Sequence, residues 1–300
     1  MEHDLSRREF GRAIGLAMGV ALGERLGLAA ARRLKIGHTG ITWGFRPDDA
    51  ERAIKDIGSL GYHGYETFGN VLEAWEPKGG LGRLLEQSNL PLISAYCPIN
   101  LTDPGRRKDE VNRLLAWGKL IKKYGGSVAV IGPNNVKREA YDFNAVRPNI
   151  VASLNDAAKA LADIGITAAL HQHTGTCVET REEVYSVMES VDTRHVKFGP
   201  DVGQLQKGGS DPVKVVSDFL TLIEHVHLKD YDGGPHYEGY CPLGRGKVDI
   251  PKVLDLLEKS QIRAMIMVEL DPSRGMPLEP LEAARISKNY LASLGYEFRS

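Results

Sequence analysis

The feature that most limits what this chain can fold into is a regular alternation. From Lys35 onward, short apolar runs take turns with amphipathic stretches. The runs predict strands over 36–43, 62–67, 91–96, 127–131, 167–173, 196–201, 223–229 and 264–270. Helices fit 48–59, 108–125, 150–164, 180–190, 211–221, 251–260 and 280–293. In 108–125, Val111, Leu114, Leu115 and Ile121 share one face, and Gly125-Gly126 supplies the stop. Strands alternating with helices imply parallel strands joined by right-handed crossovers. Eight strands in about 265 residues is the number and size of a single-domain α/β fold, the (β/α)8 TIM barrel. A doubly wound open sheet is the competitor. It usually carries a glycine-rich phosphate turn after its first strand, and His38-Thr39-Gly40-Ile41 is not one.

Residues 1–34 read as a separate object. Ser6-Arg7-Arg8-Glu9-Phe10-Gly11-Arg12 precedes an uncharged run from Ala13 to Gly23, and Ala29-Ala30-Ala31 follows. A basic start, a short apolar run and small residues describe an export signal. The pairing of arginines before a mild apolar run resembles a twin-arginine signal. Gly11 and Arg12 depart from that pattern, which has a large apolar residue and a lysine there. The expectation is a leader over 1–34, a barrel over 35–300 and a periplasmic product with no stable membrane anchor after cleavage. A cytoplasmic protein with a chance Arg-Arg is the alternative.

Charge narrows the partners. The chain has 38 basic and 39 acidic residues, net −1. Removing 1–34 takes away six arginines and four acids, which leaves a net charge of −3. No basic field recruits a polyanion, so a nucleic-acid partner is not expected. Cys97, Cys177 and Cys241 are odd in number and far apart, so neither a disulfide framework nor a C-x-x-C metal site is expected.

In a barrel of this kind the chemistry sits at the C-terminal ends of the strands. Here those ends carry His38 and Trp43, Glu66, His171 and His173, Asp201, His225, His227 and Lys229, and finally Glu269 and Asp271. Buried parallel strands ordinarily read as Val/Ile/Leu runs, so packing alone does not account for this. His171-Gln172-His173 and His225-Val226-His227 are both H-x-H, and residues two apart on a strand share a face. Any one histidine, taken alone, reads first as a hydrogen-bonded core residue. Together, His171, Asp201, His227 and Glu269 place two imidazoles and two carboxylates about one mouth, a set that suits Mn²⁺, Co²⁺, Fe²⁺ or Zn²⁺. Two carboxylates buried together without a cation would cost several kcal/mol or be forced to protonate. Lys229 has two readings, as a group that polarises substrate oxygen or as the partner of Asp230 or Asp232. Glu66 either contacts substrate or holds a ligand histidine from behind.

Five segments, in order across about 100 residues, carry a resemblance. They are His171-Gln172-His173-Thr174-Gly175-Thr176, Asp201-Val202-Gly203-Gln204 leading to Gly208-Gly209-Ser210-Asp211-Pro212, His225 to Asp230, Leu243 to Asp249, and Val268-Glu269-Leu270-Asp271-Pro272. The chain resembles the xylose isomerase-like TIM barrels, sugar isomerases and epimerases, and most of all their inosose dehydratase branch. The resemblance implies a Glu, Asp, His, Glu metal site on the last four strands. Three of these fall on Asp201, His227 and Glu269, while His171 stands in the first place. His173 and Glu179 are rival fourth ligands. Gln204 stands where relatives have a histidine that touches substrate, so Gln204, Glu179, Trp43 and His38 are candidate substrate contacts.

The implied reaction is loss of the proton next to a carbonyl through an enediolate, with a divalent metal, Mn²⁺ or Co²⁺ first and Zn²⁺, Fe²⁺ or Mg²⁺ as alternatives. Glu269 or His173 would take the proton, and Lys229 or Glu66 would steer charge on oxygen. With His171 replacing one of two opposed glutamates, elimination is expected over isomerisation or epimerisation. The expected partner is a small keto-sugar, cyclitol or glycoside, and a homo-oligomer is compatible. A sugar-binding protein without activity and an abasic-site endonuclease are the remaining classes.

Overall fold

The computed structural model describes residues 32–260, 262, 265–272 and 276–300. The leader expected over 1–34 lies outside these residues up to position 31. One compact unit runs from Arg33 to Ser300.

Eight parallel strands form the sheet: β1 (Ile36–Thr39), β2 (Tyr65–Phe68), β3 (Leu92–Ile99), β4 (Val128–Pro133), β5 (Thr167–Leu170), β6 (Val196–Phe198), β7 (Val226–Leu228) and β10 (Ile266–Val268). Their order is β6-β5-β4-β3-β2-β1-β10-β7. The two edges meet, because Phe198 bridges Ile223 and Asp201 bridges His227, both in parallel. His227 N–H donates to Pro200 O at 2.9 Å across this seam. The sheet is therefore a closed TIM barrel, as the alternation predicts. A two-stranded antiparallel hairpin, β8 (Asp230–Tyr231) with β9 (Tyr240–Cys241), stands above β7.

Helices cover the outside with their apolar stripes. In Phe143–Ala162, Ile150, Leu154, Ala157 and Leu161 are buried against the sheet, while Asp142 caps the start by accepting from Ala145 N. Leu154 is fully buried, so truncating it to Ala would cost about 2–5 kcal/mol. Predicted helices omit three short ones: Gly69–Trp75, Gly82–Gln87 and Val202–Lys207. The helix predicted over 150–164 begins at Phe143 and carries Pro148 in its second turn. All three cysteines are buried and free. Among the described residues no helix is long and apolar enough to cross a membrane.

At the N-terminal end of the barrel the chain entering β1 is tied down by direct pairing. Arg33 donates to Ile262 O at 2.7 Å, Ser260 O at 3.0 Å and Leu257 O at 3.2 Å, and so satisfies carbonyls at the end of helix Ile250–Lys259. The Glu258 carboxylate accepts the backbone N–H groups of Arg33 and Leu34 in return.

Candidate active site

Polar side chains collect at the opposite end. His171, Asp201, His227 and Lys229 are at most 1% exposed, Glu66 is 2% exposed and Glu269 6%. Local structure aims each of them. Asp201 is the N-cap of helix Val202–Lys207, and its Oδ1 accepts from Gln204 N at 2.9 Å. That turns Oδ2 inward. Gly203 then lets the helix lie on the lysine: a Cβ there would sit 2.7 Å from Lys229 Cγ.

At the centre, Lys229 Nζ is 3.0 Å from Asp201 Oδ2, 2.6 Å from Glu269 Oε1 and 2.9 Å from Asp271 Oδ2. Three carboxylates face one ammonium, so carboxylates outnumber the amine at this point. Burial pulls the Lys229 pKa down, but the carboxylates of Asp201, Asp271 and Glu269 outweigh it and hold the pKa well above its usual value. The alternative pairing with Asp230 or Asp232 is not what forms. Successive strand residues point to opposite sides. Asp230 therefore faces the next loop and accepts four backbone N–H groups, from Tyr231, Gly244, Gly246 and Val248. Gly246 is required there, since a Cβ would lie 2.1 Å from Asp230 Oδ1.

His227 spans two carboxylates. Its Nδ1 is 2.9 Å from Glu269 Oε2 and its Nε2 is 2.7 Å from Glu66 Oε1. Burial lowers the His227 pKa, but Glu269 and Glu66 reverse the sign and hold it well above normal. Glu66 also contacts His225 Nε2 at 2.8 Å and accepts from Ser94 Oγ at 2.6 Å. Burial raises its pKa, and His227 and His225 bring it down to about 2.

The His171 ring centroid lies 4.6 Å from that of His227, and its Nε2 is 4.0 Å from Asp201 Oδ2. Burial first, then His227, holds the His171 pKa well below 6.5, so the ring is neutral at neutral pH.

These residues fit a divalent cation. One ligand atom each from His171, Asp201 and His227 lie within 4.8 Å of one another, and Glu269 joins through His227. Asp201 Oδ2 and both ring nitrogens of His227 are buried without an aligned hydrogen bond. What gathers them is charge, and a buried acceptor with no aligned donor is what a cation satisfies. Glu66, His225 and His227 form a second group within the same reach.

A cavity of about 130 Å³ opens beside the cluster. Glu66, His171, His173, Glu269 and Asp271 line it together with Ile41, Phe68 and Tyr96. His173 reaches this cavity but both its nitrogens are engaged. Nδ1 is 2.7 Å from Thr174 O, and Nε2 is 2.8 Å from Gln204 Nε2. Gln204 Oε1 accepts from Thr174 N and Oγ1, so its amide nitrogen must face His173.

The other candidates sit back from the cavity. Trp43 donates from Nε1 to Asp56 Oδ2 at 2.7 Å. His38 is buried against Trp43 and Tyr62, and burial brings its pKa down to about 4. Glu179 accepts from Gly175 N and pairs with Arg138. Tyr96, Phe68 and Ser94 are contributors that strand-end reading misses. Tyr96 does end the run predicted over 91–96, which is the one signal for it.

The family profile for the xylose isomerase-like TIM barrel matches residues 54–294. The chain belongs to that family. An inosose dehydratase of Clostridium botulinum is 28% identical over 259 residues, 76% of this chain and 85% of its own length. The rhizopine catabolism protein MocC of Rhizobium meliloti is 35% identical over 282 residues, 82% of this chain and 84% of its own. Among solved structures, the IOLI protein with a bound zinc atom superposes with a TM-score of 0.72 at 17% identity, covering 89% of this chain and 100% of that one.

Proposed function

We propose that this protein is a divalent-metal-dependent enzyme that removes the proton next to the carbonyl of a keto-sugar or cyclitol ketone and then eliminates a β-hydroxyl or β-alkoxy group. The observation that carries the reading is the meeting of His171, Asp201, His227 and Glu269 beside a cavity. Relatives named inosose dehydratase support the substrate class. His171, Asp201, His227 and Glu269 would hold the cation, and two imidazoles with two carboxylates suit Mn²⁺ or Co²⁺. Such an ion supplies positive charge beside a carbonyl oxygen, which lowers the cost of losing the neighbouring proton.

The chain's own residues do the rest. Glu269 lines the cavity with its pKa held well below normal: burial raises it, but His227 and Lys229 outweigh that. It is ionised, lines the cavity and takes the proton, with Lys229 and His227 holding its two oxygens. His173 is the weaker base, since its Nε2 already faces the Gln204 amide. Lys229 keeps its charge and provides a fixed positive field on the developing oxyanion. The leaving hydroxyl departs as water, or the alkoxy group as an alcohol, by taking up the proton that Glu269 received. With His171 in place of one of two metal-bound glutamates, the symmetrical acid–base pair is broken, which favours elimination over epimerisation.

Proton NMR in D₂O tests this on scyllo-inosose, simple ketoses and 3-keto-glucosides, with Mn²⁺ or Co²⁺ and then with EDTA. The expected result is metal-dependent deuteration next to the carbonyl and a new enone signal. Deuteration without the enone would make the protein an isomerase or epimerase. No exchange with metal bound would overturn the reading.

We further propose that residues 1–34 direct export by the twin-arginine route. The support is the Ser6-Arg7-Arg8 start followed by an uncharged run. Cell fractionation with N-terminal sequencing tests it: a periplasmic product lacking the arginine pair is expected, and an intact cytoplasmic chain would contradict it.

A further inference from the structure

Beside the cation cluster lies a second buried group, centred on Glu66, to which the proposed reaction gives no role. Glu66 sits on β2, across the barrel from β7. Two histidines, two residues apart on the β7 side, both reach its carboxylate: His225 Nε2 at 2.8 Å and His227 Nε2 at 2.7 Å. The neighbouring strand supplies a hydroxyl donor, Ser94 Oγ, at 2.6 Å, and Ser94 is the register partner of Glu66. Two ring nitrogens and one hydroxyl therefore converge on one carboxylate, and all four residues are at most 2% exposed.

Composition separates this group from the cation cluster. One carboxylate beside two imidazoles leaves no excess of carboxylates over nitrogen groups. The cation cluster, with three carboxylates around one ammonium, has such an excess. The two groups touch at a single ring, since His227 gives Nε2 to Glu66 and Nδ1 to Glu269.

We propose that Glu66 is a positioning residue for His227. It holds the Nε2 proton, leaves the Nδ1 lone pair facing the space between Asp201 and Glu269, and is itself braced by His225 and Ser94. An imidazole ligand works only in the right tautomer and ring orientation, and a carboxylate behind it supplies both while raising its basicity. The inference rests on the metal-dependent reading of the cation cluster. It adds that the affinity of that cluster is set from the opposite wall of the barrel.

The test is Co²⁺ binding to the purified barrel, read by calorimetry and by the visible absorption of the bound ion, in wild type and in Glu66→Gln. The variant keeps size and burial but removes the charge that holds the Nε2 proton. The expected result is one Co²⁺ per chain in wild type, binding about 10–100-fold weaker in the variant, and a changed absorption band. A defect of folding alone would leave the band of the bound fraction unaltered. Should Glu66→Gln not fold, Ser94→Ala decides, with Co²⁺ binding expected to weaken about 3–10-fold. Unchanged affinity and band in the variant that folds would overturn the positioning role while the metal reading stands. Two Co²⁺ per chain would overturn it by making the Glu66 group a metal site. No Co²⁺ on the wild type would bring down both.

Discussion

The two His-x-His segments have the same spacing and opposite fates. His225 and His227 flank Val226 at the start of β7, and both rings turn to one carboxylate, Glu66. His171 and His173 lie just past the end of β5 at Leu170, where the chain has left the sheet. There His171 N–H still donates to Ile131 O, but His173 N–H turns back to Val178 O. His171 joins the carboxylate cluster, while His173 is pinned between Thr174 and Gln204. The lesson is that period-two spacing predicts convergence only while the strand ladder continues.

The largest effect that sharpens this contrast lies at Lys229, beside the first pair. Lys229→Met leaves Asp201, Glu269 and Asp271 without their ammonium and should cost about 3–5 kcal/mol of stability in EDTA. Much of the loss should return with Mn²⁺, because bound metal stabilises the folded state by mass action. Urea denaturation with and without metal measures both. Next, His227→Ala should weaken Co²⁺ binding more than about 100-fold, beyond the range for residues that only support a ligand. At the second pair, Gln204→Leu strips the amide from His173 and Thr174 and should cost about 1–3 kcal/mol, seen as a lower urea midpoint. The smallest effect belongs to His173→Ala, whose Co²⁺ affinity should stay within about threefold of wild type, a small change beside that of a supporting residue. If His173→Ala matched His227→Ala, the two segments would be equivalent and the contrast would fail.

The barrel is legible in the sequence because all eight apolar runs are buried strands and their order forces parallel pairing. Two strand ends are read too long, toward the polar residues that follow them. The run over 167–173 stops at Leu170, and that over 196–201 stops at Phe198. The short helix Val202–Lys207 and the hairpin Asp230–Tyr231 with Tyr240–Cys241 escape notice because six and two residues show no period. The convergence of His171, Asp201, His227 and Glu269 is legible from strand ends. The partner of each nitrogen is not, since Ser94 behind Glu66 and Gln204 against His173 are set by side-chain direction across the barrel. Lys229 illustrates the limit: its nearest acids in sequence are Asp230 and Asp232, yet its partners come from β10 and the seam.

The most direct measurement is anomalous scattering from crystals grown with Mn²⁺, collected on both sides of the manganese edge. The account predicts one strong peak per chain, bonded to His171, Asp201, His227 and Glu269 with the Glu66 carboxylate behind His227. A peak between Glu66, His225 and His227, or no peak at the barrel mouth with manganese in excess, would contradict it.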